Sequence, residues 1–217
     1  MSRLVRKNDH LQSAFNSAPG RADFSDIHLL NNCLPEIDLE DVSIESNYLG
    51  RTYRSPLFIN AITGGTREGM RINALLAHAA RECGLPMALG SQAAALDERS
   101  RQVSRSFKLA RSINPFGEIW ANLNAGSETK HAQRAVKMVK ADALQLHLNV
   151  PQELAMAEGD RNFMGRIENI KGIVNHCGVP VVIKEVGFGV SAEAGQIIKS
   201  TGASAIDVSG RGGSNFL

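Results

Sequence analysis

The segment Gln145 to Glu153 (QLHLNVPQE) carries polar side chains at strand spacing. Period-two alternation sends Gln145, His147 and Asn149 to one face and Leu144, Leu146 and Leu148 to the other. Polar side chains turned into a protein interior are costly unless they meet a ligand or one another. Gln152 and Glu153 follow just beyond the strand, where a carboxylate can hold a divalent cation and an amide can grip a polar substrate. A rim glutamate that is simply solvated is the plainer alternative.

Other residues suit the same kind of site. Lys184 and Glu185 end the apolar run VVIKEV. A lysine there can neutralise an electron-rich ligand, or it can form a buried pair with the glutamate. Thr63-Gly64-Gly65 follows an apolar run, where glycines let the backbone approach a flat ligand and present N–H groups, or merely form a tight turn. Gly210-Arg-Gly-Gly-Ser214 is a second glycine-rich turn suited to an anion or cofactor. Near the start, Arg6-Lys7-Asn8-Asp9-His10 places two cations and an imidazole in a few residues, a set that suits a diphosphate. Nothing resembles a Ser/His/Asp or Cys/His nucleophile arrangement, which argues against covalent hydrolysis.

These residues need elements to position them. From about residue 56 onward, short apolar or β-branched runs alternate with longer helical patterns, the rhythm of βα units. Six strands are predicted: Pro56–Ile62, Pro86–Ser91, Ile119–Asn124, Ala143–Asn149, Pro180–Val186 and Ala205–Gly210. A helix over Gly69–Cys83 would bury Ile72, Leu75, Leu76 and Ala79 and end at Gly84, and residues 127–140 and 163–176 read as helices too. Nearly continuous apolar strands imply parallel pairing. Almost every strand ends in small or polar residues, as a β/α barrel requires where its active site is assembled from strand ends. A doubly wound sheet would instead place a phosphate loop after its first strand, and no GxGxxG or GxxxxGK[ST] occurs.

The expected fold is therefore α/β, a TIM-type β/α barrel over residues 56–217, truncated after about its sixth strand. Residues 1–55 are read as an N-terminal extension that covers one end of it and contributes to the substrate site. With 24 basic and 22 acidic residues, the chain lacks the basic excess of a nucleic-acid binder. No apolar run is long enough to cross a bilayer and no secretory leader is evident, so a cytoplasmic location is expected. Cys33, Cys83 and Cys177 have no metal-ligand spacing and are expected to be buried, inert thiols.

Taken in order, RKNDH, ITGG at 62–65, GSQ at 90–92, ANLN at 121–124, QLHLNVPQE, EGDRNF at 158–163, VIKEVGFG at 182–189 and GRGGSNF at 210–216 strongly resemble the type 2 isopentenyl-diphosphate isomerases. The resemblance implies an FMN-containing β/α barrel that interconverts isopentenyl and dimethylallyl diphosphates in isoprenoid synthesis. It further implies reduced FMN, Mg2+, a nicotinamide nucleotide (NADPH) as reductant, and assembly as a homo-oligomer, a tetramer or octamer. Carried over by position, Arg6, Lys7 and His10 would hold the diphosphate and Gln152 would contact substrate. Glu153 would be the Mg2+ ligand, and His147 would stand by the reacting centre. Ile62, Thr63, Gly64, Ser91, Ala93, Asn122, Lys184, Ser209 and Ser214 would line the flavin. Two positions depart from the family: Ala93 replaces a bulkier residue, and Ser214 a threonine. Alternatives are an FMN-dependent barrel oxidoreductase, or an inactive barrel fragment.

Overall fold

The computed structural model describes residues 28–97, 101–157 and 159–209, with Val5, Lys7, Leu11, Gln12 and Asn16 near the start. A short 3-10 turn at Leu39–Asp41 precedes an antiparallel hairpin, β1 (Ser46–Tyr48) and β2 (Arg51–Tyr53). Leu49 and Gly50 turn it, both at positive φ. Helix α1 (Arg67–Cys83) follows, then β3 (Met87–Ala88), α2 (Ala93–Asp97), α3 (Arg101–Ile113) and β4 (Ile119–Asn124). Helix α4 (Thr129–Val139), β5 (Ala143–Leu148), α5 (Val150–Ala155), α6 (Arg166–His176), β6 (Val181–Glu185), α7 (Ala192–Ser200) and β7 (Ala205–Asp207) complete the described elements.

Strands β3 to β7 pair in parallel, in sheet order identical to chain order. This is a half-barrel with helices outside, as the βα rhythm predicts. Pro56–Ile62 does not form a full strand: it joins the sheet at a single parallel bridge, Ile59 to Met87. Hydrogen bonds from Ile59 N to the Pro86 carbonyl and from Ala88 N to the Ile59 carbonyl hold it there. The last predicted strand, Ala205–Gly210, is also shorter, ending at Asp207.

The two faces of the sheet differ in chemistry. Met87, Leu89, Ile119, Ala121, Leu123, Leu144, Leu146, Val181 and Ile183 point outward into one apolar cluster with the helices. The inner face begins with Ala88, Trp120, Ala143 and Val182, against which Phe58 and Tyr48 pack. At the next level along the strands, Asn122 stands opposite Gln145; above that, Asn124, His147, Lys184 and Asp207 are in register. The interior thus changes from apolar to polar toward the C-terminal strand ends.

The hairpin, not predicted from sequence, packs at the opposite end. Glu118, just before β4, accepts the Tyr53 hydroxyl and the Trp120 indole N–H, each at 2.6 Å. Arg51 pairs with Glu118 and with Asp142, just before β5, each at 3.3 Å. Tyr48 stacks on Tyr53 with ring centroids 4.0 Å apart. Burial, followed by hydrogen bonding to the Glu118 carboxylate, raises the Tyr53 pKa.

Two further expectations are corrected. Helix α1 has its Thr66 side-chain cap and its left-handed Gly84 stop, but it buries Gly69, Asn73, Ala77 and Ala80 instead of the predicted stripe, with Leu75 71% exposed. Small residues win because α1 lies close against α3. The cysteines also differ: Cys177 is buried, whereas Cys33 and Cys83 are exposed.

Candidate active site

The polar layer is organised by two hydrogen-bond chains. In the first, Asp207 Oδ2 accepts from Asn60 Nδ2 at 2.7 Å, and Asn60 Oδ1 accepts from Gln145 Nε2 at 3.0 Å. Gln145 Oε1 accepts from Asn122 Nδ2 at 3.1 Å, and Asn122 Oδ1 lies 2.9 Å from His147 Nδ1. In the second, Glu153 Oε1 accepts from Asn149 Nδ2 at 2.7 Å, and Asn149 Oδ1 accepts from Asn124 Nδ2 at 2.6 Å. The other Glu153 oxygen accepts from the Asp160 N–H. Buried amides left unpaired would each cost roughly 1–3 kcal/mol. Gln145 and Asn122 avoid that within the first chain, and Asn149 within the second.

Electrostatics isolates His147. Burial first, then the charges of Lys7, Lys184 and Arg166, push its pKa down to about 4, against a weaker pull from the Leu123 carbonyl. The imidazole is therefore neutral at pH 7. Lys184 donates to the Glu185 carbonyl at 2.8 Å and lies 3.6 Å from Asp207 Oδ2. Its charge partner is thus Asp207 and not the neighbouring Glu185, whose carboxylate instead accepts the N–H groups of Gly187, Phe188 and Gly189.

The elements bring many of the predicted residues to one mouth. Lys7 Nζ donates to the Ser91 carbonyl at 2.8 Å and sits 5.2 Å from the Phe107 ring centroid, which brings Lys7 to the loop after β3. Thr63 and Gly64 are buried beneath it, and Ala93 starts α2 half-buried. Ile62, just before the Thr63-Gly64-Gly65 turn, leaves its apolar side chain 49% exposed. Ser209, at φ 57°, donates its backbone N–H to Asp207 Oδ1 at 3.0 Å. Gln152 and Glu153 sit together on α5 at the rim, Glu153 being buried. Arg6, His10 and Ser214, with the glycine turn 210–214, lie outside the described residues.

Sequence reading missed Asn60, Asp207 and Arg166. Asn60 and Asp207 were legible only as members of strand candidates. Arg166 sits in a predicted helix, yet its Nη1 is buried without a hydrogen-bond partner and its guanidinium stacks 4.6 Å from the Phe163 ring centroid. Among the described residues no cluster of three His, Cys, Asp or Glu side chains could hold a metal.

A parallel sheet with outer helices, and a polar mouth at its C-terminal strand ends, defines this chain as a half-barrel of the β/α barrel class. No protein-family model matches the chain. In sequence it is a homologue of proteins named isopentenyl-diphosphate delta-isomerase. It is 45% identical over 211 residues to that of Moorella thermoacetica, covering 97% of this chain and 60% of that protein. It is 43% identical over 224 residues to that of Symbiobacterium thermophilum, covering 99% and 61%. Identity to that of Bacillus thuringiensis subsp. konkukian is 45% over 218 residues, covering 100% and 62%. The chain spans about three fifths of the length of these curated relatives. In structure it is similar to a mandelate oxidase variant with a C4a-OH-FMN adduct, at TM-score 0.58 and 20% identity, covering 98% of this chain and 61% of the other. A mandelate oxidase with 2-hydroxy-phenylacetamide gives TM-score 0.57 at 19% identity, covering 98% and 60%. At such identity these structures speak for the fold alone. No helix among the described residues is long and apolar enough to cross a membrane.

Proposed function

We propose that this chain carries the substrate- and flavin-facing half of an isopentenyl-diphosphate delta-isomerase barrel. The reaction interconverts isopentenyl and dimethylallyl diphosphates. The observation that carries this reading is a neutral His147 set among Lys7, Lys184 and Arg166 at the strand ends, in a chain 45% identical to isomerases. Cations around an uncharged imidazole suit a site that must bind an anion while moving protons on carbon.

The donor set fits reduced FMN. The exposed Ile62 side chain offers a surface for a flat ring, while Asn122, Lys184, Ser209 and the backbone at Thr63 and Gly64 offer donors around it. Ser91, Ala93 and Ser214 complete the flavin set by position. Reduced FMN would supply an electron-rich face and acid/base capacity for delivering one proton to the terminal alkene carbon and removing another from C2, with no net redox change. Lys184, held beside Asp207, places positive charge against that face. His147 accepts a proton at Nε2. Arg6, Lys7 and His10 grip the diphosphate, Gln152 orients the substrate, and Glu153 gives Mg2+ its protein oxygen. NADPH serves as the reductant, and the working form is a cytoplasmic homo-oligomer of four or eight subunits.

An anaerobic assay tests this. The purified chain is given reduced FMN, Mg2+ and isopentenyl diphosphate, and dimethylallyl diphosphate is followed with and without flavin. Flavin-dependent product is expected, from the chain alone or after its complementary C-terminal segment from a relative is added. Net oxidation of a hydroxy acid without isomerisation would overturn the reading in favour of an FMN oxidoreductase.

A further inference from the structure

The first hydrogen-bond chain has a direction, and that direction sets the chemistry of His147. Asp207 offers only acceptor oxygens, so Asn60 must turn its Nδ2 toward it, at 2.7 Å. An independent anchor agrees: the Ala61 backbone N–H donates to Asn60 Oδ1 at 2.8 Å, which makes that atom the oxygen. Gln145 is then bound to donate through Nε2 to Asn60 Oδ1, leaving Oε1 to accept from Asn122 Nδ2. The remaining atom of the Asn122 amide, Oδ1, faces His147 Nδ1 at 2.9 Å. Reversing any amide would set oxygen against oxygen or donor against donor. Gln145 is fully buried and Asn122 nearly so, which leaves such a mismatch without water to relieve it.

We infer that Asp207 and the Ala61 N–H, acting through Asn60, Gln145 and Asn122, fix His147 in the tautomer with its proton on Nδ1 and its lone pair on Nε2. Asn60, Gln145 and Asp207 are positioning residues. They carry the direction of the network from the edge strand β7 to the central strand β5. Asp207 also holds Lys184, so one carboxylate sets both the cation and the imidazole of the mouth. The role of Nε2 as a proton acceptor rests on the isomerase reading; the tautomer itself does not.

The test is nitrogen NMR of the full chain labelled with 15N-histidine. Long-range proton–nitrogen correlations at pH 7 separate protonated from unprotonated ring nitrogens, and His147 is assigned by its loss in His147→Gln. The wild-type chain is expected to show Nδ1 protonated and Nε2 bare. Gln145→Leu cuts the chain and is expected to let the two tautomers exchange, whereas Gln145→Glu, protonated at this fully buried position, still donates to Asn60 Oδ1 and accepts from Asn122 Nδ2 and keeps the wild-type pattern. A wild-type spectrum with the proton on Nε2 overturns the inference by itself, even if no variant folds. An unchanged tautomer in folded Gln145→Leu also overturns it. Because the readout needs neither flavin nor turnover, the expected tautomer in a chain that stays inactive even with the complementary C-terminal segment added would sink the isomerase reading alone.

Discussion

Gly64 and Phe107 stand so close that no side chain fits between them: a Cβ on Gly64 would lie 2.2 Å from Phe107 Cε1. The Phe107 ring is fully buried between the sheet and its helices, so it has nowhere to retreat. The Lys7 ammonium lies over the same ring, 5.2 Å from its centroid. Core packing and the mouth therefore meet at one contact.

Gly64→Ala should for that reason behave as an overpacked core variant. We expect a loss of about 1–3 kcal/mol in urea unfolding. Phe107→Leu, which frees space beside residue 64, should recover part of that loss when the two are combined. Additive losses would mean the two residues do not share the site.

Glu153→Gln should raise the Mg2+ requirement of isomerisation. The carboxylate already accepts from Asn149 and the Asp160 N–H, so it is held in place before a cation arrives. An amide keeps the shape but loses the charge. The Mg2+ needed for half-maximal rate should rise roughly ten- to a hundredfold. An unchanged titration would remove Glu153 from that role.

The depressed His147 pKa makes a stability prediction with a definite sign. Above about 6.5 the imidazole is neutral in both folded and unfolded chains and contributes nothing. As pH falls from about 6.5 toward 4, the unfolded chain takes up a proton that the folded site refuses. Stability should fall across that window, by on the order of 3 kcal/mol, and the effect should level off below it. Urea unfolding of wild type and His147→Gln at pH 7, 5.5 and 4.5 isolates this contribution. Parallel curves for the two proteins would show that the imidazole is not desolvated.

Thiol chemistry gives a simple check of the fold. Cys33 and Cys83 are exposed, while Cys177 is buried with its Sγ donating to the Val179 carbonyl at 3.1 Å. A thiol-specific reagent should label two cysteines per folded chain quickly and the third only on unfolding. Rapid labelling of all three would contradict the packing of α6 against the sheet.

Much of this was written into the sequence. The period-two polar face Gln145, His147, Asn149, the apolar runs at 119–124 and 181–185, and the stops at Gly84 and the strand ends depend on local spacing and propensity, so they were readable without a partner. The parallel half-barrel and its mouth at the strand C-termini follow from that rhythm, because buried two-sided strands joined by helices have few other ways to pair. Only the tertiary structure decided which groups meet. The hairpin 46–53 has strands too short to announce themselves and takes its support from Trp120, Glu118 and Asp142, far along the chain. Lys184 next to Glu185 read as an adjacent pair, yet alternation sends the two side chains to opposite faces and gives Lys184 to Asp207. The α1 face was misjudged because burial there depends on how closely α3 approaches, which no helical period records. The link from Asp207 through Asn60 to His147 joins residues on four separate segments. Their hydrogen bonds are fixed by register between strands, a quantity the chain acquires only on folding.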